Sequence, residues 1–135
     1  MLDLHTAIHN HIQFRRRCQF RRFNIDYSQL QPQRFRANLE EIVRRIRAET
    51  PAEVILFSAF PPNPRWHYGS HRMEAYAAAT AAAAQACHCA YADVYSNWQS
   101  VVARKKCEDV LGNNINHPND FGHGIYFQVF EALGL

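Results

Sequence analysis

Val54-Ile55-Leu56-Phe57-Ser58-Ala59-Phe60 is a short, continuous apolar run with β-forming residues throughout its first half. Pro51 precedes it, and Pro61-Pro62-Asn63-Pro64-Arg65-Trp66 follows it. An unbroken apolar run between two breakers reads as a strand buried on both faces, the signature of a parallel sheet. The proline-rich loop then leaves the carboxyl end of that strand. In open α/β sheets this is the end at which ligands bind.

On the amino-terminal side, Pro32 to about Ala48 has the spacing of a helix. Phe35, Leu39, Ile42, Val43 and Ile46 form one apolar stripe. Pro32 suits a first helical turn, and Pro51 blocks continuation. Arg34, Arg36, Glu40, Glu41, Arg44, Arg45 and Arg47 lie mostly off the stripe, where helix-spaced ion pairs add a few tenths of a kcal/mol each. On the carboxyl-terminal side, Ser70 suits the N-cap of a long helix reaching about Cys89, with an alanine-rich middle that lets neighbours approach closely. Tyr91-Ala92-Asp93-Val94-Tyr95 reads as a second, shorter strand. Ser96 or Asn97 can cap a helix with Trp98, Val101 and Val102 on its apolar side. A polar loop follows, and then a last helix with Phe121, Ile125, Tyr126, Val129, Phe130 and Leu133 as its stripe. Gly122 and Gly124 weaken its first turns, and Gly134 can end it. Strands alternating with helices imply a parallel sheet covered on both faces. Two strands make a small sheet, so either residues 1–12 add a third or the chain is part of a larger domain.

The 135 residues fit one domain with a core, and a 47% hydrophobic, 20% charged composition excludes wholesale disorder. No run is long enough to span a bilayer, and the amino terminus shows no basic-then-apolar leader. Four cysteines in a chain of this length make no disulfide framework, so a reducing cytoplasm is the expected setting. Cys87-His88-Cys89 invites a metal reading, but residues two apart on a helix point about 200° apart. His67 and His71 have helical metal-pair spacing without the acid of a His-Glu-x-x-His motif. His5, His9 and His11 have no carboxylate or thiol at ligand spacing, and no metal or cofactor is expected. Residues 1–27 form a separate, basic lead-in. Within it, five arginines interleave with Phe14, Phe20 and Phe23, a pattern able to bind phosphates and stack on bases. No nucleic-acid-binding motif accompanies them, so a solvated arm is the plainer reading.

The chemistry is concentrated in Asn113-Asn114-Ile115-Asn116-His117-Pro118-Asn119-Asp120-Phe121-Gly122-His123. This string resembles the last block of the SGNH, or GDSL-type, hydrolases, which runs Asp-x-x-His, often followed by Pro and then a Gly-His pair. The Arg-Phe-Arg-Ala-Asn-Leu helix, the strand entering Pro-Pro-Asn-Pro-Arg-Trp, and Ala-Asp-Val-Tyr before a Trp-bearing helix extend the resemblance over roughly residues 29–135. It implies an α/β fold: a partial three-layer α/β/α, flavodoxin-like domain over residues 28–135, with a short parallel sheet and its amino-terminal strands missing. It also implies ester hydrolysis through an acyl-enzyme, with His117 as general base and Asn114 standing where the acid normally is.

A serine hydroxyl needs an adjacent imidazole to take its proton, and the imidazole needs an acceptor on its other nitrogen. Asn114 can accept such a bond but carries no charge, and Asp120 is the nearest carboxylate, better suited to helix capping. No Gly-Asp-Ser block and no Gly-x-Asn-Asp block is present. Leu2 to Asn10 is only faintly similar to the strand before the latter, with Asn10 near the oxyanion asparagine. Ser28, Ser58, Ser70, Ser96 and Ser100 lack a nucleophile context, and caps or surface positions account for them. The expectation is a GDSL-type ester hydrolase chain that lacks its nucleophile and is weak or inactive alone. Its substrate would be a small-molecule, carbohydrate or lipid ester. The rival expectations are a non-catalytic α/β module or a fragment completed by a partner chain that supplies the missing strands and, less favoured, nucleic-acid binding through the arginine–phenylalanine segment.

Overall fold

The computed structural model describes residues 31–67 and 71–134. The readings placed on residues 1–27, Ser28 and Ser70 therefore lie outside the described residues. Helix α1 (Pro32–Glu49) begins on its proline and ends at Thr50, whose N–H and hydroxyl both donate to the Ile46 carbonyl. Strand β1 (Ile55–Phe57) follows. Helix α2 (Met73–Ala86) carries the chain back to strand β2 (Ala90–Ala92). The two strands pair in parallel, Ile55 with Ala90, Leu56 with Tyr91 and Phe57 with Ala92. Helix α3 (Val94–Val102), a single 3-10 turn (Cys107–Asp109) and helix α4 (Asp120–Glu131) complete the order.

The sheet lies between two helical layers. On one face, Ile55 and Ala92 pack with Val129 and Tyr126, and the Phe57 ring meets Phe130 edge-on at 5.6 Å. On the other face Leu56 points toward α1 and α2, and the Tyr91 hydroxyl donates to the Ala77 carbonyl. Small side chains permit this packing: Ala77, Ala79, Ala83 and Ala84 are all buried in α2. Phe35 and Tyr76 fasten α1 to it, ring edge to ring face, at 5.3 Å. The arrangement is α/β/α with a short parallel sheet, as the alternation of strands and helices implies.

Several local expectations are corrected. β1 is three residues long rather than seven, and Phe57 is 37% exposed, so the strand is not buried on both faces. A shallow apolar groove opens beside it, lined by Phe35, Leu39, Ile55, Leu56, Phe57 and Thr80. A strand extends only as far as a neighbour offers it a ladder, and β2 offers three residues. Helix α2 begins at Met73, with Arg72 at the N-cap.

That helix ends at Ala86, three residues early, because His88 turns left-handed at φ 50°. The Cys89 and His88 N–H groups then donate back to the Ala84 and Gln85 carbonyls, which closes a Schellman turn. Arg47 of α1 reaches across to the Cys87 carbonyl and, at 3.2 Å, to the His88 carbonyl. Cys87 and Cys89 therefore sit on a capping turn, not on a helix face. Helix α3 starts at Val94, not after Ser96. Asp93 is its N-cap, accepting from the Ser96 N–H at 3.0 Å, and the buried Ser58 hydroxyl accepts the Tyr95 N–H at 2.9 Å.

Below the sheet's carboxyl end, Trp98 is fully buried and stacks on Phe60 with ring centroids 4.3 Å apart. Gly122 lies against it. A Cβ at that position would meet the Val110 carbonyl oxygen at 2.5 Å, the Pro118 Cβ at 2.9 Å and the Trp98 ring at 3.0 Å. Gly122 is thus what lets α4 dock, not a weak point in its first turn. Phe121, expected in the apolar stripe, is instead 50% exposed and lies under the Lys105 ammonium at 5.0 Å. Among the described residues no helix is long and apolar enough to cross a membrane.

Candidate active site

The loop bearing His117 is closed at its base. Leu111 and Pro118 form an antiparallel bridge, and the Gly112 N–H donates to the His117 carbonyl at 2.8 Å. Beyond the bridge Asn119 caps α4, its side-chain oxygen accepting the Gly122 N–H at 2.9 Å while its amide donates to the Asp109 carbonyl. Asn119, not Asp120, is therefore the cap; Asp120 is the first residue of the helix, where its charge suits the helix dipole.

One side chain organises the interior of the loop. Asn113 Oδ1 accepts three successive backbone N–H groups, from Ile115, Asn116 and His117, at 3.0, 2.9 and 2.9 Å. Its Nδ2 donates to Asn116 Oδ1 at 3.0 Å and lies 3.1 Å from His117 Nδ1. His117 Nδ1 is 2.8 Å from Asn116 Oδ1.

Asn114, at the acid's usual spacing, lies on the same loop. It takes a left-handed backbone, φ 56°, and its side chain makes no hydrogen bond among the described residues. Its carbonyl accepts from Asn63 Nδ2 at 2.9 Å. His117 Nδ1 meets Asn116, one position before it, and Asn113, four before, rather than Asn114, three before.

The loop after β1 holds this assembly from below. Asn63 is 5% exposed. Its N–H donates to the Ile115 carbonyl at 2.7 Å, its side-chain amide to Asn114, and its Oδ1 accepts the Arg65 N–H at 3.0 Å. The His117 loop is thus pinned to the segment leaving the carboxyl end of the sheet, with the imidazole exposed. Nothing in a lone asparagine between prolines signals this clasp. The only hint in the sequence is the loop's place at the ligand-binding end.

Ser58 is not a surface serine. It is 1% exposed, and its hydroxyl donates to Asp93 Oδ1 at 3.3 Å while accepting from Tyr95, so it serves the start of α3. The Tyr91 hydroxyl joins the same network at 3.5 Å from Asp93, and burial pushes its pKa up. Burial likewise pushes the Cys87 and Cys107 thiols up, so neither presents a thiolate near neutral pH. His71 is left-handed at φ 51° and precedes α2, so His67 and His71 share no helix face. Among the described residues no three His, Cys, Asp or Glu side chains converge as metal ligands.

Comparison with known proteins fits this architecture. No curated protein matches the chain. Among solved structures, an alpha/beta hydrolase enzyme from the metagenome of Lake Arreo superposes with TM-score 0.64 at 19% identity, over 98% of this chain and 56% of that one. An acetylxylan esterase from Geobacillus stearothermophilus gives TM-score 0.64 at 14% identity, over 96% and 55%. A protein of Parabacteroides merdae described as a GDSL-like lipase gives 0.64 at 12%, over 78% and 51%. These likenesses show the fold, and the chain spans about half the length of the structures it matches. The model of the GDSL-like lipase/acylhydrolase family matches residues 24–125, which takes in both strands, the Asn63 loop and His117. The chain belongs to the GDSL-like lipase/acylhydrolase family.

Proposed function

We propose that the chain carries the general-base half of a GDSL-type ester hydrolase site, with His117 as the base. The observation that carries this reading is the mounting of His117. Its imidazole is exposed, its Nδ1 is engaged by a neighbouring amide, and its loop is clasped to the carboxyl end of β1 through Asn63. An imidazole so placed takes the proton of a serine hydroxyl as it attacks an ester carbonyl, then returns it to the leaving alcohol. The serine, in the Gly-Asp-Ser block that this chain lacks, is contributed by a complementing chain whose strands join β1. The substrate is an ester of short acyl chain. Acetylated oligosaccharides are natural first choices for assay, given the acetylxylan esterase among the structural neighbours. The thiols suit a cytoplasmic setting.

The test is hydrolysis of a short-chain aryl ester and of an acetylated xylo-oligosaccharide. The chain alone is expected to give negligible turnover. Mixed with the amino-terminal half of a GDSL-type hydrolase it is expected to turn over, and His117→Ala is expected to lower that rate by roughly 10²–10⁴-fold. Turnover by the mixture that is indifferent to His117→Ala would remove the proposal, and so would strong turnover by the chain alone that survives the same substitution.

A further inference from the structure

The turn that closes α2 brings two thiols to one side of the helix. Cys87 is the C-cap, His88 takes the left-handed position, and Cys89 follows. On a continuous helix the two cysteines would diverge, because residues two apart point about 200° from each other. A Schellman turn removes that divergence. The residue beyond its left-handed position folds back towards the last helical turn, here towards Ala84, whose carbonyl accepts the Cys89 N–H. Cys87, three positions on from Ala84, stands on the same row of the helix. Residues two apart on such a turn have Cα atoms roughly 5.5 Å apart, within the span a disulfide bridges.

Contacts with α1 place both sulfurs on that side. The Arg47 guanidinium lies 3.6 Å from Cys89 Sγ while it holds the Cys87 and His88 carbonyls. Burial, then Cys89, then Glu40 of α1 push the Cys87 thiol up, and Arg47 and Arg36 draw it down. Each cysteine is therefore within electrostatic reach of the other and of the same arginine. Both are free and only partly buried. They differ in what they can do. In thiol–disulfide exchange negative charge spreads over the reacting sulfurs, and a cation beside one of them steadies it. Arg47 supplies that cation at Cys89.

We infer that Cys87 and Cys89 form a reversible dithiol–disulfide site whose oxidant is a small soluble disulfide of the glutathione type, with Cys89 attacking and Cys87 resolving. The Cys89 thiolate attacks one sulfur of the oxidant, whose S–S bond breaks and releases one thiolate. Cys87 then loses its proton to water and attacks Cys89 Sγ, which releases the second. Two protein thiols are oxidised to one disulfide, the oxidant is reduced to two thiols, and the protons of Cys87 and Cys89 end on those thiols. A bridge this exposed is readily reduced again, so it follows the surrounding thiol balance and does not staple the fold. None of this depends on the reading of His117.

The test is mass mapping of the intact chain after exposure to oxidised glutathione and alkylation of the remaining thiols. The expected product is a Cys87–Cys89 disulfide that excess reduced glutathione reopens, with Cys107, packed against the Trp98 cluster, still alkylated. In Cys87→Ser, glutathione should stay trapped on Cys89. In Cys89→Ser, Cys87 should take up glutathione more slowly than that. Adding Arg47→Gln to Cys87→Ser should slow trapping roughly three- to tenfold, and Arg47→Lys should recover part of the loss. Lysine restores the charge but not the fork that holds two carbonyls, so a purely structural role for Arg47 would show no such recovery. Glutathione remaining on Cys89 in the unsubstituted chain, a bridge to any other cysteine, or Cys107 reacting as fast overturns the site. Faster uptake by Cys87 than by Cys89, or trapping indifferent to Arg47→Gln, overturns the assigned roles.

Discussion

Asn63 joins two loops that are about fifty positions apart in the chain, and it does so from a nearly closed position with its backbone and both side-chain polar atoms engaged. Replacing it with alanine removes the bond to the Asn114 carbonyl and the support for the Arg65 N–H at once. Asn63→Ala is expected to cost about 1–3 kcal/mol, because a buried polar clasp is lost and its partners must find water. Urea unfolding measures the cost. Hydrogen exchange at the Ile115, Asn116 and His117 amides should speed up in the same variant if the clasp steadies the loop they line. The residues that shape this site are asparagines at three separate places, and none has a periodic signal. His117 was legible because an unusual string surrounds it. Asn63, Asn113 and Asn116 were not, since their roles depend on which backbone groups a folded loop brings within reach.

At the scale of an element, helix ends decided most of what differed from expectation. The stripe of α1 was plain from Pro32 onward, because apolar spacing and a proline at the first turn agree. The caps of α2 and α3 were not, because a capping side chain is chosen among neighbours by the geometry of the turn before it. His88 is the sharpest case. It occupies the left-handed position that closes α2, where a Cβ costs about 1–2 kcal/mol. His88→Gly is therefore expected to stabilise the chain by roughly 1 kcal/mol, visible as a rise of several degrees in Tm.

The charged face of α1 gives a pH-dependent expectation. The Arg44 and Arg45 guanidinium groups beside Glu41 hold its carboxyl at about 2, against an ordinary 4.5. The unfolded chain thus takes up that proton before the folded one. Glu41's contribution is whole above pH 4.5 and is lost as pH falls towards 2. Glu41 and the two guanidinium groups lie at the surface, where water screens them, so the effect is small. In Glu41→Gln the urea midpoint should vary less with pH between those limits than in the parent, and should follow the same pH dependence above them.

For the molecule as a whole, layer order was legible because it follows from alternation of strands and helices. Sheet width and strand length were not, because both are set by neighbours. β1 is paired through three residues, with an apolar groove beside it. If strands from a complementing chain join it there, adding that chain should raise Tm progressively with its concentration, by mass action. A Tm that ignores the added half at tens of micromolar would argue that the groove receives nothing from outside.

The described hydrogen bonds that shape the His117 loop run between amides and backbone groups. Dissolved ions weaken attractions between exposed charges over about 10 Å at 0.1 M and act little on neutral dipoles in contact. The Arg36–Glu40 and Arg45–Glu41 pairs of α1 will therefore loosen in brine while the backbone N–H bonds to Asn113 hold. A carboxylate in the place of Asn116 would give a stronger hold, but one that varies with ionic strength; the amide trades that strength for constancy.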